Sequence, residues 1–263
     1  MKTKLALLVL LAVSCWPSKA QDKEPGIAKA EEIPFTYDAT VFTTVRIAEI
    51  PKQVADPNNM PDEAPAYSCF YLEDKRPLPA FDKGPRYFQP AYSMVCILPL
   101  TDTSVTNYAK SYPNLNAAAV KLRKLLARHP VSFKVGKDLD DMPFNNAGGT
   151  IQARSQYLSF KNGKGVLFLT QYSQEMQPNP INNEELTCNF QGITDDGKYY
   201  VAARFALTHP SLPKGIDFTS HIKRDDKGLY LKTQERKLNG FADDSFGPSL
   251  SVLKSLITSI SIK

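Results

Sequence analysis

Residues 150–207 read TIQARSQYLSF-KNGKG-VLFLTQY-SQEMQPNPINNEE-LTCNFQG-ITDDG-KYYVAARFAL, and the fold turns on how they are parsed. They read as two β-hairpins joined by a polar connector. Segments 151–160 and 166–172 are rich in β-branched and aromatic residues. Between them, Asn162-Gly163 is the pair that tolerates positive φ in a tight hairpin turn. Segments 186–192 and 198–206 flank Thr194-Asp195-Asp196-Gly197, which offers the same turn chemistry. Leu186, Cys188 and Phe190 alternate, as do Tyr199, Val201, Ala203 and Phe205. Period two with one apolar face predicts an antiparallel sheet covered on one side.

Working outward, residues 33–50 read as extended, with Phe35, Tyr37, Ala39 and Val41 alternating before Pro51. Strand-like runs around Cys69 and over 91–100 bracket a segment carrying Pro77, Pro79, Pro85 and Pro90. Prolines at that density forbid a helix or a central strand, so a surface loop is expected there. Residues 114–128 predict a helix. Asn114 or Asn116 can cap it, and Leu115, Ala119, Leu122, Leu125 and Leu126 recur at helical spacing before Pro130 stops it. Its outer Lys121, Lys124 and Arg128 read as a solvated face. Near the carboxyl end, Pro248 suits a first helical position and Leu250, Leu253, Leu256 and Ile257 form a stripe, with 259–262 alternating as a short strand. Residues 215–241 admit a hairpin about Asp225-Asp226-Lys227-Gly228 or a break between two helices, and the hairpin is the expectation. The sum is one α+β domain over 33–263, a mainly antiparallel sheet with helices packed on it, sandwich-like.

Residues 1–20 read as a signal peptide: Lys2 and Lys4, an apolar run, then Ser18-Lys19-Ala20 before Gln21. The competing pattern is a lipoprotein signal, with Leu11-Ala12-Val13-Ser14 leading to a lipid anchor at Cys15. Either places the protein outside the cytoplasm, secreted or periplasmic, or anchored at the envelope. No later stretch approaches a membrane-spanning length. Residues 21–32 are charged and read as a disordered leader. Removing residues 1–20 leaves 29 basic side chains against 27 acidic, a balance of +2 that gives no ground for nucleic-acid binding. Cys69, Cys96 and Cys188 remain. An oxidising compartment permits one disulfide, for which Cys69 and Cys96 are the candidates, while three reduced cysteines is the other reading. Cys188, between Leu186 and Phe190, reads as buried.

Catalytic and cofactor patterns are sparse. The three histidines, His129, His209 and His221, show no metal-ligand spacing, and no Gly-x-Ser-x-Gly elbow or Cys-x-x-Cys occurs. No cofactor is expected. Asp140-Asp141, Glu184-Glu185, Asp195-Asp196, Asp225-Asp226 and Asp243-Asp244 lie in turn-like stretches, where Asp serves backbone hydrogen bonding. The most distinctive polar cluster is the connector. Gln171, Gln174, Asn182 and Asn183 set planar amides beside Tyr172, the donors, acceptors and stacking face that recognition of a sugar or extended peptide requires. The bland reading makes them caps of a solvated loop.

Asn162-Gly163, Leu169-Thr170-Gln171-Tyr172, Asn182-Asn183, Phe190-Gln191-Gly192-Ile193-Thr194, Asp196-Gly197-Lys198-Tyr199-Tyr200 and Pro210-Ser211-Leu212-Pro213 together resemble a group of uncharacterised secreted bacterial proteins over 145–213. That resemblance implies no activity. The final helix-then-strand is similar to the end of photosystem-accessory (PsbP-like) extracytoplasmic sandwich domains, which implies a helix–sheet–helix sandwich and transfers no site. Three functions are expected in order: a non-catalytic extracytoplasmic domain binding a partner protein or envelope polymer, a hydrolase whose carboxylates the fold brings together, or a structural accessory of an envelope assembly.

Overall fold

A computed structural model describes residues 26–52, 65–74, 93–100, 115–142, 147–173, 179–215, 222 and 225–263. In chain order these form β1 (Gly26–Ile27), β2 (Thr44–Ile50), β3 (Tyr67–Glu73), β4 (Ser93–Pro99), α1 (Leu115–Arg128), β5 (Gly148–Gly149), β6 (Ala153–Phe160), β7 (Gly163–Ser173), β8 (Leu186–Thr194), β9 (Tyr199–Ala206), α2 (Lys227–Gly240) and α3 (Leu250–Ser259). All strand pairings are antiparallel, and the order is β1-β2-β3-β4-β9-β8-β7, with β5 and β6 in succession along the outer edge of β7. The class is α+β with a mainly antiparallel open sheet. The sheet is two meanders joined where β9 pairs with β4. Segments 1–25 and 75–92, on which the expected signal peptide and the expected proline-rich surface loop fall, lie outside the described residues.

The sheet is buried on both faces, which corrects the expectation of one-sided cover. Leu167, Leu169, Cys188, Phe190, Val201, Ala203 and Phe205 join α2 and α3 in one core. Val166, Phe168, Ile193, Tyr200, Ala202, Met94 and Cys96 meet α1 in a second. The pattern explains this. In β7 and β9 both parities carry apolar side chains, as strands covered on two sides require. β8 hid the second face because its alternate positions are polar: Thr187, Asn189 and Gln191 point towards α1 and are nonetheless 1% exposed or less. Gln191 is satisfied there, with Nε2 donating to Asp140 O at 2.9 Å and Oε1 accepting from the Tyr200 hydroxyl.

α1 buries Leu115, Ala118, Ala119, Leu122, Leu125 and Leu126, and α3 buries Leu250, Leu253, Leu256 and Ile257 beneath an N-cap in which Ser249 Oγ accepts from Ser251 N. α2 replaces the expected hairpin. From 227 to 240 the chain has one β-branched residue and several strong helix formers, and Asp225-Asp226 stands at the positive end of the helix dipole. Only Leu238 of α2 is fully buried.

Four further expectations change. Over 33–50 only β2 is strand, because Asp38 folds the preceding stretch into a turn by accepting from Thr40 N and Thr40 Oγ1. Residues 260–263 form no strand; they dock through Ile260 O to Lys161 N, Ser261 N to Pro34 O, and Asn162 with Ile262. In the leader, Gly26–Ile27 pairs with β2 and Ala30–Glu32 forms a 3-10 turn, since the edge of β2 offers backbone partners to a sequence with few apolar residues. Finally, the β6–β7 turn is Lys161-Asn162 without positive φ, whereas Gly197 in the β8–β9 turn does adopt it, at 72°.

The glycines after Asn162 serve packing instead. A Cβ on Gly163 would lie 2.1 Å from Phe160 Cζ, and one on Gly165 would lie 2.2 Å from Gln191 O and 2.6 Å from Phe190 Cζ. The ring of Phe160 meets that of Phe190 edge-on at 6.0 Å. Gly165→Ala is therefore expected to cost about 1–3 kcal/mol by overpacking. Gly240→Ala, with nothing within 4 Å of its Cβ, should be neutral or gain up to about 0.5–1 kcal/mol of helix stability. Thermal or denaturant unfolding of the two variants checks the contrast.

Candidate functional site

The connector's amides face inward. Gln171 is fully buried in β7; its Oε1 accepts from Asn182 N at 3.0 Å, and its Nε2 reaches Asn179 O and Pro180 O at 3.3 and 3.4 Å. Asn182 is 1% exposed: Nδ2 donates to Pro180 O and Glu185 Oε2, while Oδ1 accepts from Glu184 N and Glu185 N. Asn183 clasps the segment after β9, accepting from His209 N at 2.7 Å and donating to His209 O and Leu212 O. Tyr172 is half-buried against the α1-side core. Gln174 lies outside the described residues. The structure thus unites Gln171 with Asn182, and Asn183 with His209, as a clamp. The sequence showed the amides but not their direction: in β7, Gln171 follows Leu167 and Leu169 in parity, which was the available signal.

His209 is the centre of that clamp. It is 7% exposed and stacks on Phe241 at 3.7 Å, with Phe246 edge-on at 5.1 Å. Nδ1 accepts from Ser211 N at 3.2 Å and lies 2.8 Å from Ser211 Oγ; Nε2 lies 3.2 Å from Ser245 Oγ. A backbone N–H needs an acceptor, so the ring proton is assigned to Nε2. Ser245 Oγ donates to Ala242 O at 2.7 Å. With its proton on the nitrogen that faces Ser245, this imidazole is not arranged to deprotonate that hydroxyl. Desolvation holds the His209 pKa below 6.5.

The remaining reactive groups are equally committed. Cys69 and Cys96 lie opposite each other in β3 and β4 and form a disulfide with Cα atoms 4.2 Å apart. Cys188 is buried on the α3 side, where desolvation pushes its thiol up to about 12, out of nucleophilic range. Arg154, which the sequence did not single out, takes φ 54° at a bulge in β6. It donates to Asn239 O and Phe241 O at 3.1 Å each and pairs with Asp243, whose other oxygen holds Lys254 at 2.6 Å. Asp140 pairs with Lys121. Asp141 is half-buried and accepts from Gly149 N at 3.2 Å; desolvation, offset in part by that bond and reinforced by neighbouring Asp140, raises its pKa. His221 lies outside the described residues. Among the described residues no group of three His, Cys, Asp or Glu side chains could hold a metal ion, and no helix is long and apolar enough to cross a membrane. No family model, curated protein or solved structure matches the chain.

Asn182→Ala removes a buried side chain and leaves two part-buried N–H groups without their acceptor, and should cost about 1–2 kcal/mol, read as a fall in Tm. Asp141 predicts the opposite. Its folded pKa stands above the unfolded value of 3.8, so its charged form opposes folding at neutral pH and the penalty fades as pH falls through the folded value. Asp141→Asn should therefore raise Tm slightly at neutral pH, with the gain vanishing towards pH 3.8, as Tm measured across pH will show.

Proposed function

We propose that the protein is a non-catalytic extracytoplasmic domain that binds a partner protein or an envelope polymer through the connector between the two hairpins. The observation that carries this reading is the clamp. Gln171 and Asn182, with Asn179 O and Pro180 O, fix both ends of a short polar segment, Gln174-Glu175-Met176-Gln177-Pro178. Its sequence carries the amide donors and acceptors of Gln174 and Gln177. Export is supported by the signal-like residues 1–20 and by a disulfide, a bond that persists in oxidising compartments.

The test uses protein recovered from the source organism, whose intact mass should begin at Gln21; diacylglycerol on Cys15 would replace release with anchoring. Co-sedimentation with purified envelope polymer, and crosslinking to envelope proteins in place, then compare wild type with a Gln174→Ala, Gln177→Ala variant. The variant should keep its Tm within about 0.5 kcal/mol-equivalent of wild type and lose about 1–3 kcal/mol of affinity. Equal retention would remove the connector as the contact surface and favour a structural accessory. Hydrolysis of ester, glycoside or peptide substrates that Asp141→Asn abolishes would favour the carboxylate hydrolase instead.

A further inference from the structure

Among the described residues β6 pairs with β7 alone, so its other side is an edge of the sheet. That edge is closed at both ends. At its start α2 covers it: Glu235 Oε1 accepts from Gln152 N at 3.0 Å, and Asn239 Oδ1 from Arg154 N at 2.6 Å. At its finish Lys161 N donates to Ile260 O at 3.0 Å. Between these caps lies Ser155-Gln156-Tyr157-Leu158-Ser159, with no charge, no proline and both serines exposed. Charges, prolines and covering segments are the usual means of keeping a strand edge from pairing, and this stretch has none of them.

The turn fixes the direction of its backbone. Phe160 and Gly163 close the Lys161-Asn162 turn as partners, and Leu158 and Gln156 follow opposite Gly165 and Leu167. In an antiparallel ladder one set of alternate residues bonds one neighbour, and the residues between them face the other way. Phe160, Leu158 and Gln156 therefore bond β7, while Lys161, Ser159 and Tyr157 face outward, as the Lys161–Ile260 bond shows directly. Among the described residues nothing bonds the N–H or C=O of Tyr157 or Ser159. Leu158 is half-buried against the α3-side core. Tyr157 is held on the opposite face, its hydroxyl donating to Pro130 O at 3.0 Å and its ring stacked on His129 at 3.8 Å.

We propose that this edge pairs with the same edge of a second copy, antiparallel about a two-fold axis through Leu158, joining two sheets into one. That register sets Tyr157 of one protomer opposite Ser159 of its partner, and the reverse. Each such pair exchanges both of its N–H···O bonds, so every free backbone group at these two positions is used. Leu158 meets its counterpart across the axis at the closely spaced position between the bonded pairs, where side chains approach nearest. The ends of β6 favour a second copy over an unrelated peptide. In this register the partner's strand turns away at its own Lys161-Asn162, opposite Ser155 and Arg154, where Asn239 already occupies Arg154 N. An extended peptide would run on into Asn239 and Glu235. The bulge between Ala153 and Gln156 bends each strand at the point where the other's Ile260 caps Lys161. A two-fold contact requires a single self-complementary patch, which this edge is. A pairing this short buries little area, so the association is weak and depends on concentration.

Sedimentation equilibrium of the purified protein from about 10 µM to about 1 mM reads that association. The weight-average mass should rise from monomer towards dimer across the range. Ser159→Pro removes an outward N–H and leaves the β6–β7 bonds, because an edge strand tolerates proline where the nitrogen faces out. It should weaken the association about tenfold or more. Ser155 stands beside the partner's Lys161 in this register, so Ser155→Glu should strengthen the association and Ser155→Lys weaken it, each by about twofold or more. Ser155 is exposed, so this pair of variants decides the matter should Ser159→Pro not fold. A mass that stays monomeric to about 1 mM, a dimer that none of the three changes alters, or Ser155 variants that shift it in the same direction would each overturn the proposal. So would a monomer whose Tyr157 and Ser159 amides gain exchange protection only when envelope proteins are added, which would assign the edge to another chain.

Discussion

A sheet covered on both faces gives its central strands no solvent for their alternate side chains, and the rest of this structure answers that constraint. β8 places Thr187, Asn189 and Gln191 under the α1 layer, where a polar group without a partner costs on the order of 1–3 kcal/mol. Thr187 Oγ1 donates to Thr170 O at 3.1 Å and accepts from Asn189 Nδ2 at 2.9 Å. Gln191 is met by Asp140 O and by Tyr200, whose hydroxyl burial holds well above the ordinary phenol range. The 133–142 segment, seated in the α1-side core by Phe133, Leu139 and Met142, supplies that acceptor. Asn189 Oδ1 finds no donor among the described residues, so the solution is incomplete at one atom.

The two hairpins, α1 and the carboxyl-terminal helix were legible because each is written locally: alternation, turn residues, a capped 3.6-residue stripe. What was not legible depended on partners distant in sequence. Nothing local says that Thr187 and Gln191 are interior, since polar alternation in a strand ordinarily marks a wet face. α2 has a weak apolar stripe and is held to β6 through Glu235, Asn239 and Phe241, contacts more than eighty residues from Gln152 and Arg154. Asn162-Gly163 carried the right residues for the wrong reason. The turn forms, but Asn162 binds Ile262 and Gly163 makes room for Phe160.

The connector shows the same division. Amide density near Tyr172 was visible in the sequence, and an amide is equally suited to ligand recognition and to satisfying buried backbone. Parity along β7 sends Gln171 inward with Leu169, and Asn182 caps the turn that launches β8. The sequence named the residues of the clamp without naming His209 as its centre, because a His-Pro pair reads first as the end of an element. Reactive side chains are absorbed in the same way, with Cys188 under α3 and Cys69 bonded to Cys96.

The junction of the two meanders bears on how the chain reaches this state. Every pairing from β6 to β9 joins neighbours in sequence, whereas β9 meets β4 across about a hundred residues, with Pro99 opposite Tyr199. Local hairpins close in microseconds, and pairings of such separation are slow to find. A chain in which the second meander has formed and the first has not would therefore expose the inner edge of β9, a row of unpaired backbone donors and acceptors flanked by Val201, Ala203 and Phe205. During that interval the strand destined for the centre of the sheet is an open edge, and any protein that escorts the newly made chain would find its most adhesive surface there.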